Sequence, residues 1–257
     1  MNEILTEKDL ERIFSGKNPT NHSLVKLKNV SKSIAILALS VVFFYVILNF
    51  NGIKEKFVYW YRYDYKNEQT EESPTVVAQI VEEEIEEKPV MDDIVDNHLK
   101  INSINAYAPI TWNVENTPTE TKTNLENGLI HLKGTAMPGE IGNVFVTGHS
   151  SNYPWAKGKY NNVFALLDKL VIGETIQLKY QEKDFLYEIK DIKVVNPDDV
   201  SVLQPTKNSV LTLMTCTPLG TSLRRLIITS VQYYPNPTKN TPSNTRSIEA
   251  KEIPKAR

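Results

Sequence analysis

Between Ile34 and Phe50 the chain reads IAILALSVVFFYVILNF, and the uncharged stretch around it extends from Ser33 to Ile53. An α-helix of about 17 residues spans roughly 26 Å at 1.5 Å per residue, close to the hydrocarbon thickness of a bilayer. Few soluble helices are apolar on every face over such a length, which leaves a buried core helix as the weaker alternative. The run lies too far from the start for an ordinary cleaved signal peptide, and no small-residue cleavage site follows it. The expectation is an uncleaved signal anchor over residues 34–53. Lys17, Lys26, Lys28 and Lys32 precede it and Lys54, Lys56, Arg62 and Lys66 follow it, so the positive-inside rule gives no orientation.

The anchor divides the rest of the chain. Residues 1–33 form an N-terminal segment. Residues 54–97 read as a solvated stalk, acid-rich from about residue 64, with EEEIEE at Glu82–Glu87 and prolines at Pro74 and Pro89. Residues 235–257 are polar and proline-rich and read as a disordered tail. Residues 98–234 carry the pattern of a compact domain. A formal net charge of −2 and the lack of a long basic patch give no sign of nucleic-acid binding, and no nucleic-acid partner is expected.

Within 98–234 the chain alternates or is β-branched in short runs broken by turn residues: KINSINAY, NVFVTGH, ETIQLKY, FLYEIKDIKVV, SVLTLMT and RLIITSVQYY. Many short strands of this kind predict a mainly β fold, a closed or nearly closed barrel with short helices. One helical segment is predicted at Val163–Leu170, capped by Asn161 or Asn162 and followed by Gly173. No internal repeat is present.

Cys216 is the single cysteine, which rules out an intramolecular disulfide and a cysteine-rich zinc site. It is either a small buried hydrophobe or a reactive thiol. It ends the strand-like run SVLTLMTC, as His149 ends NVFVTGH, and Arg224 and Arg225 stand at the start of LIITSV. Strand ends at a barrel rim are places where side chains can converge on a ligand. A thiolate attacks carbonyls, and a neighbouring imidazolium or guanidinium favours the thiolate. An arginine can also stabilise the oxyanion that forms. Cys, His and Arg are thus chemically sufficient for acyl transfer, although sequence does not show that they meet. His131, in the alternating stretch LIHLKG, reads as structural, and His98 and His22 as linker and tail residues. Tyr153 and Trp155, just after His149, fit a substrate groove or plain loop packing equally.

TLMTC at Thr212–Cys216 resembles the TLxTC signature of sortases, the membrane-anchored cysteine transpeptidases of bacterial surfaces. GTAMPGEIGNVFVTGHS at Gly134–Ser150 resembles the stretch leading into that family's histidine, and VVNPDDVSVLQPT at Val194–Thr206 the loop before its cysteine strand. The second arginine of CTPLGTSLRRLIITS falls nine residues after the cysteine, similar to class C sortases. The resemblance covers roughly residues 98–234. It implies a sortase-like closed barrel with Cys216 as nucleophile, His149 as general acid/base and Arg225 as oxyanion or substrate stabiliser. Arg224 is the competing choice; a strand beginning at Arg225 would point it to the opposite face. Thr215 corresponds to a threonine that helps position substrate, or is simply a strand-favouring residue.

The implied reaction cleaves a C-terminal sorting signal of a secreted protein through a thioester and transfers the acyl group to an amine. The implied partners are surface or pilin proteins bearing that signal, and an amine acceptor, either a cell-wall precursor or a pilin lysine. The resemblance also implies a single-pass membrane protein, N-terminus in the cytoplasm and barrel outside the cell, with no cofactor. Asp198 and Asp199 are too few to argue a calcium site. No Asp-Pro-aromatic lid motif occurs in residues 57–110, and no second apolar span follows the barrel, so the subclass stays open between pilus assembly and cell-wall anchoring. The rival readings are a tethered, non-catalytic β-module with a buried cysteine, and another cysteine amidase. The latter family carries Ser-x-Gly-Cys instead of TLxTC.

Overall fold

The computed structural model describes residues 7–14, 22–65, 89–245, 248, 253 and 254. The chain divides into two units, Met1–Ile47 and Leu48–Arg257. The first holds α1 (Glu7–Phe14) and nearly all of α2 (His22–Leu48). The stretch Val30–Leu48 of α2 is long and apolar enough to cross a membrane, and none of it is buried. Midway along it, the Ser40 hydroxyl donates to the Leu37 carbonyl at 2.7 Å, so its polar group is satisfied within the helix.

The exposed apolar run stops at Leu48, short of the expected Ile53. Asn49 and Gly52 belong to the second unit and are buried there. Helix α3 (Phe50–Tyr59) packs so closely that a Cβ on Gly52 would lie 2.9 Å from Leu219 Cδ1. Lys56 on the same helix pairs with Asp168 at 2.6 Å. The start of the expected stalk is therefore helical and docked, and it continues as a π-helical turn at Trp60–Tyr65. The acidic run Glu82–Glu87 lies outside the described residues.

The second unit is built on strands β1 (His98–Ile101), β2 (Ala106–Val114), β3 (Leu129–Leu132), β4 (Glu140–Thr147), β5 (Thr175–Tyr180), β6 (Lys183–Val195), β7 (Ser209–Thr217) and β8 (Arg224–Tyr234). They follow one another around the sheet as β3-β2-β1-β5-β6-β8-β7-β4, and a β3–β4 pairing closes the ring. A short β9 (Thr241–Pro242) adds to β4. The pairs β2–β3 and β4–β7 are parallel and the other pairs within the ring antiparallel. This is the closed, mainly β barrel expected from the alternating runs.

Period-2 alternation explains which side chains fill it. Leu211 and Leu213 of β7, Val144 and Val146 of β4, and Leu226 and Ile228 of β8 point inward to the main core. Each such aliphatic side chain contributes about 1.5–3 kcal/mol on burial. The intervening residues of β7, β4 and β8 face outward, yet Phe145, Met214 and Ile227 are also buried, in a second cluster with Leu132, Val202, Leu203 and Ile253. A third cluster joins Cys216 to Val114, Ile130 and Leu125. The outer face around β7 is thus covered by other parts of the chain, and every residue from Ser209 to Cys216 is buried.

Three local expectations differ from the structure. Val163–Leu170 forms no α-helix; it is a series of tight turns ending in a 3₁₀ turn at Leu167–Lys169. The Phe164 amide donates to the His149 carbonyl at 2.9 Å, so it is unavailable to a helical ladder, while Phe164 and Leu167 plug the barrel core. A helix does occur at α4 (Pro118–Leu125), capped by the Thr117 hydroxyl, which accepts from the Glu120 amide. His98 lies in β1 and stacks on Tyr107 with ring centroids 4.9 Å apart; it is not a linker residue. In the segment read as a disordered tail, the described residues include a 3₁₀ turn at Pro237–Lys239 and β9, and Ile253 is buried.

Candidate active site

His149, Cys216 and Arg225 come from the ends of three neighbouring strands. β4 and β7 run parallel with Thr147 opposite Met214, so His149 and Cys216 each lie two residues beyond that pair, at the same end of the barrel. β7 and β8 are antiparallel, with Cys216 directly opposite Arg225. Inward-facing Val146, Leu213 and Leu226 fix the parity of each strand, which sends Cys216 and Arg225 to the outer face. All three residues are buried.

The approach of β4 to β7 is held by hydrogen bonds on both sides of the histidine. Gly148 N–H donates to the Met214 carbonyl at 3.2 Å. The Thr147 hydroxyl donates to the same carbonyl at 3.0 Å, and the Thr215 hydroxyl donates to the Gly148 carbonyl at 2.8 Å. Thr215 therefore ties the cysteine strand to the residue before His149. Ser151, just past the histidine, accepts from the Gly220 amide at 2.9 Å and so links the His149 loop to the turn after Cys216. Sequence reasoning did not single out Ser151. Its only signal was its place two residues after the histidine.

The space at the thiol is small. A cavity of about 10 Å³ is lined by Cys216, Thr215, Ser150, Leu219, Lys56 and Asp168 among others. That is too little for more than a single water. The Ser150 hydroxyl is buried there without a hydrogen-bond partner among the described residues.

Arg225 is fully buried, whereas Arg224 is exposed. The strand begins at Arg224, one residue earlier than expected, but alternation still separates the two side chains. The Arg225 Nη1 donates to the carbonyls of Ser222 and Arg224 at 3.0 and 3.2 Å, and Nε donates to the Pro254 carbonyl at 3.2 Å. Its Nη2 is buried with no acceptor among the described residues. A guanidinium held in this way presents a donor that awaits an acceptor.

The remaining candidates have other places. His131 is buried inside the fold, with a ring nitrogen 2.9 Å from the Ala136 carbonyl. Tyr153 and Trp155 are exposed and stack on each other, 5.1 Å apart and nearly parallel. Asp199 accepts from the Ser201 amide and caps a 3₁₀ turn at Val200–Leu203. Among the described residues no group of three or more His, Cys, Asp or Glu is arranged to hold a metal ion.

Fold and site together define a closed β-barrel protein that carries a thiol, an imidazole and a guanidinium at one end of adjacent strands. The Sortase domain family model matches residues 99–232, just over half of the chain. The chain belongs to the sortase family. It is 33% identical over 135 residues to Sortase D of Bacillus subtilis, a match covering 51% of this chain and 60% of that protein. It is 34% identical over 104 residues to Sortase SrtE1 of Streptomyces coelicolor, covering 37% of this chain and 28% of that protein. Among solved structures, sortase A from Corynebacterium diphtheriae (lid mutant) matches at 31% identity and a TM-score of 0.45, covering 55% of this chain and 71% of that one. A sortase D5 transpeptidase from Clostridium perfringens matches at 32% identity and a TM-score of 0.44, covering 52% and 76%.

Proposed function

We propose that this protein is a membrane-tethered cysteine transpeptidase that cleaves a sorting signal in secreted proteins and transfers the acyl group to an amine. The observation that carries this reading is the register of three strands: Cys216 is opposite Arg225, and His149 is level with Cys216. Family membership supports the same chemistry.

The residues divide the reaction as follows. The Cys216 thiolate attacks a backbone carbonyl carbon of the bound peptide, and the carbonyl oxygen becomes an oxyanion. The Arg225 guanidinium, fixed on the strand position opposite Cys216, stabilises that charge. The carbon–nitrogen bond breaks as the His149 imidazolium gives its proton to the departing amine. A thioester remains on Cys216. An incoming amine attacks the thioester carbon and gives its proton to the His149 imidazole, and the thiolate leaves. The acyl energy is kept in the thioester between the two steps. The partners are surface or pilin proteins that bear a sorting signal, together with an amine acceptor.

The exposed apolar helix at Val30–Leu48 supports a single membrane span. In this layout residues preceding the span lie in the cytoplasm and the barrel lies outside, where secreted substrates are met. The test uses the full chain in detergent with a randomised peptide library and hydroxylamine as the amine. Peptide hydroxamates and a thioester mass adduct on Cys216 are expected from the wild type and neither from Cys216→Ala. If no adduct or hydroxamate forms and Cys216 also resists iodoacetamide, the protein is a tethered β-module with a structural cysteine.

A further inference from the structure

Beside Arg225, the outer face of the barrel holds Ile253 and Pro254 of the same chain. Ile253 is buried, 1% exposed, among Leu132, Phe145, Met214, Ile227, Val202 and Leu203. Its amide donates to the Pro197 carbonyl at 2.8 Å. The next residue, Pro254, has no N–H to satisfy, and its carbonyl accepts from Arg225 Nε at 3.2 Å. Further back, Ile248 exchanges two hydrogen bonds with the Gln204 side chain: its amide donates to Oε1 and its carbonyl accepts from Nε2. Four backbone groups of Ile248, Ile253 and Pro254 are thus met and one aliphatic side chain fills an apolar pocket, the two elements by which a sheet surface takes up a peptide.

The position of this contact matters more than its size. Pro254 places a peptide carbonyl on the guanidinium that sits opposite Cys216. While Pro254 sits on the Nε edge of the guanidinium, a second peptide cannot lie along that edge, and Arg225 is buried beneath it. We infer that residues Ile253 and Pro254 act as an intramolecular competitor, a strap that occupies the peptide groove and must leave before a peptide substrate binds. The competition rests on the transpeptidase reading, but the occupancy of the groove does not.

Docking is therefore measured without turnover. The probe is a fluorescein-labelled synthetic peptide of residues Arg246–Arg257, read by fluorescence anisotropy against the full chain in detergent, the chain ended at Thr245, and the full-length Ile253→Asp variant. A tethered segment competes at a local concentration on the order of millimolar, so the full chain should bind the probe roughly tenfold more weakly than either altered chain. A probe that itself carries Ile253→Asp should not bind any of them. Equal binding by the full chain and the Ile253→Asp variant overturns the strap. Amide hydrogen exchange at Ile253 in the unaltered chain gives a second measurement that needs no variant: slow exchange is expected from its bond to Pro197, and exchange at the rate of an open peptide overturns the proposal. The hydroxamate assay separates the two readings. If the strap is present but neither chain makes product, the enzyme reading fails alone. If both chains make product with equal KM, the strap fails alone; its release should lower KM roughly tenfold in Ile253→Asp and leave kcat unchanged.

Discussion

Cys216 and Arg225 are paired directly across the antiparallel β7–β8 ladder, so their side chains leave the same face of the barrel. Arg224, one position earlier, is exposed and belongs to the other parity. Arg225→Ala should lower kcat by about a hundredfold or more, the scale of losing a fixed oxyanion donor. Arg224→Ala should stay within about twofold of wild type, since exposed substitutions away from the chemistry change little. Turnover of a cleaved library peptide with hydroxylamine reads both variants, and calorimetry checks folding. Equal losses would mean that the field of the whole basic turn matters, not one guanidinium.

Thr215 makes a different prediction from the one its sequence position implies. Its hydroxyl is buried and donates to the Gly148 carbonyl, so it acts on the segment that carries His149 and is not left free for a substrate. Thr215→Val keeps the shape and the strand preference but orphans a buried carbonyl, at a cost of about 1–3 kcal/mol. If Thr215 positions His149, kcat should fall roughly tenfold with KM nearly unchanged, and Thr215→Ser should recover most of it. A rise in KM at constant kcat would return Thr215 to the role of a substrate contact.

Much of this arrangement is legible in the sequence, for physical reasons. Alternating runs such as SVLTLMT and NVFVTGH specify strands because one face is core, and each ends in a side chain able to do chemistry. That the strands lie in the order β4-β7-β8 is a long-range fact that no local pattern carries. The misread segments have local causes. Val163–Leu170 has helix-forming residues, but the Phe164 amide is committed to His149. The α4 helix was announced by Thr117-Pro118 followed by Glu120, a capping pattern of the usual kind, yet its body is polar and lacks a strong apolar stripe. Ile253 was hidden in a polar segment because a single aliphatic anchor has no periodicity.

Gly148 sets how closely the histidine loop can approach the core. A Cβ there would lie 2.4 Å from Leu129 Cδ2 and 2.8 Å from Phe164 Cδ2, and both side chains are themselves buried in the close-packed core. Gly148→Ala should therefore push the chain outward at the residue before His149. Overpacking of this kind costs about 1–3 kcal/mol. For a domain of this size that is a fall in Tm of roughly 3–10 °C. Activity should drop by more than the loss of folded protein explains, because the displaced peptide unit also carries the carbonyl that Thr215 holds. A variant with wild-type Tm and wild-type turnover would show that Leu129 and Phe164 repack freely, against the tightness of this core.

His131 ties acid stability to a group outside the proposed chemistry. It is fully buried beside Trp112, with ring centroids 5.2 Å apart. Its Nδ1 accepts from the Asn113 amide, which leaves the proton on Nε2, where the ring meets the Ala136 carbonyl. Burial pushes its pKa down from the usual 6.5 to about 4, while the bond to Ala136 acts in the opposite sense. The folded state therefore prefers the neutral ring. Unfolded chain binds this proton first as pH falls, so the stability contributed by the neutral ring is complete above about pH 6.5 and is lost progressively towards pH 4. The total is ~3 kcal/mol for a shift of that size. Urea denaturation of wild type and His131→Gln at pH 7, 5.5 and 4 isolates the effect from the carboxylates common to both. The variant should be the less stable at pH 7 and the gap should close by pH 4. Parallel stability curves over that range would place the proton of His131 elsewhere than its buried position requires.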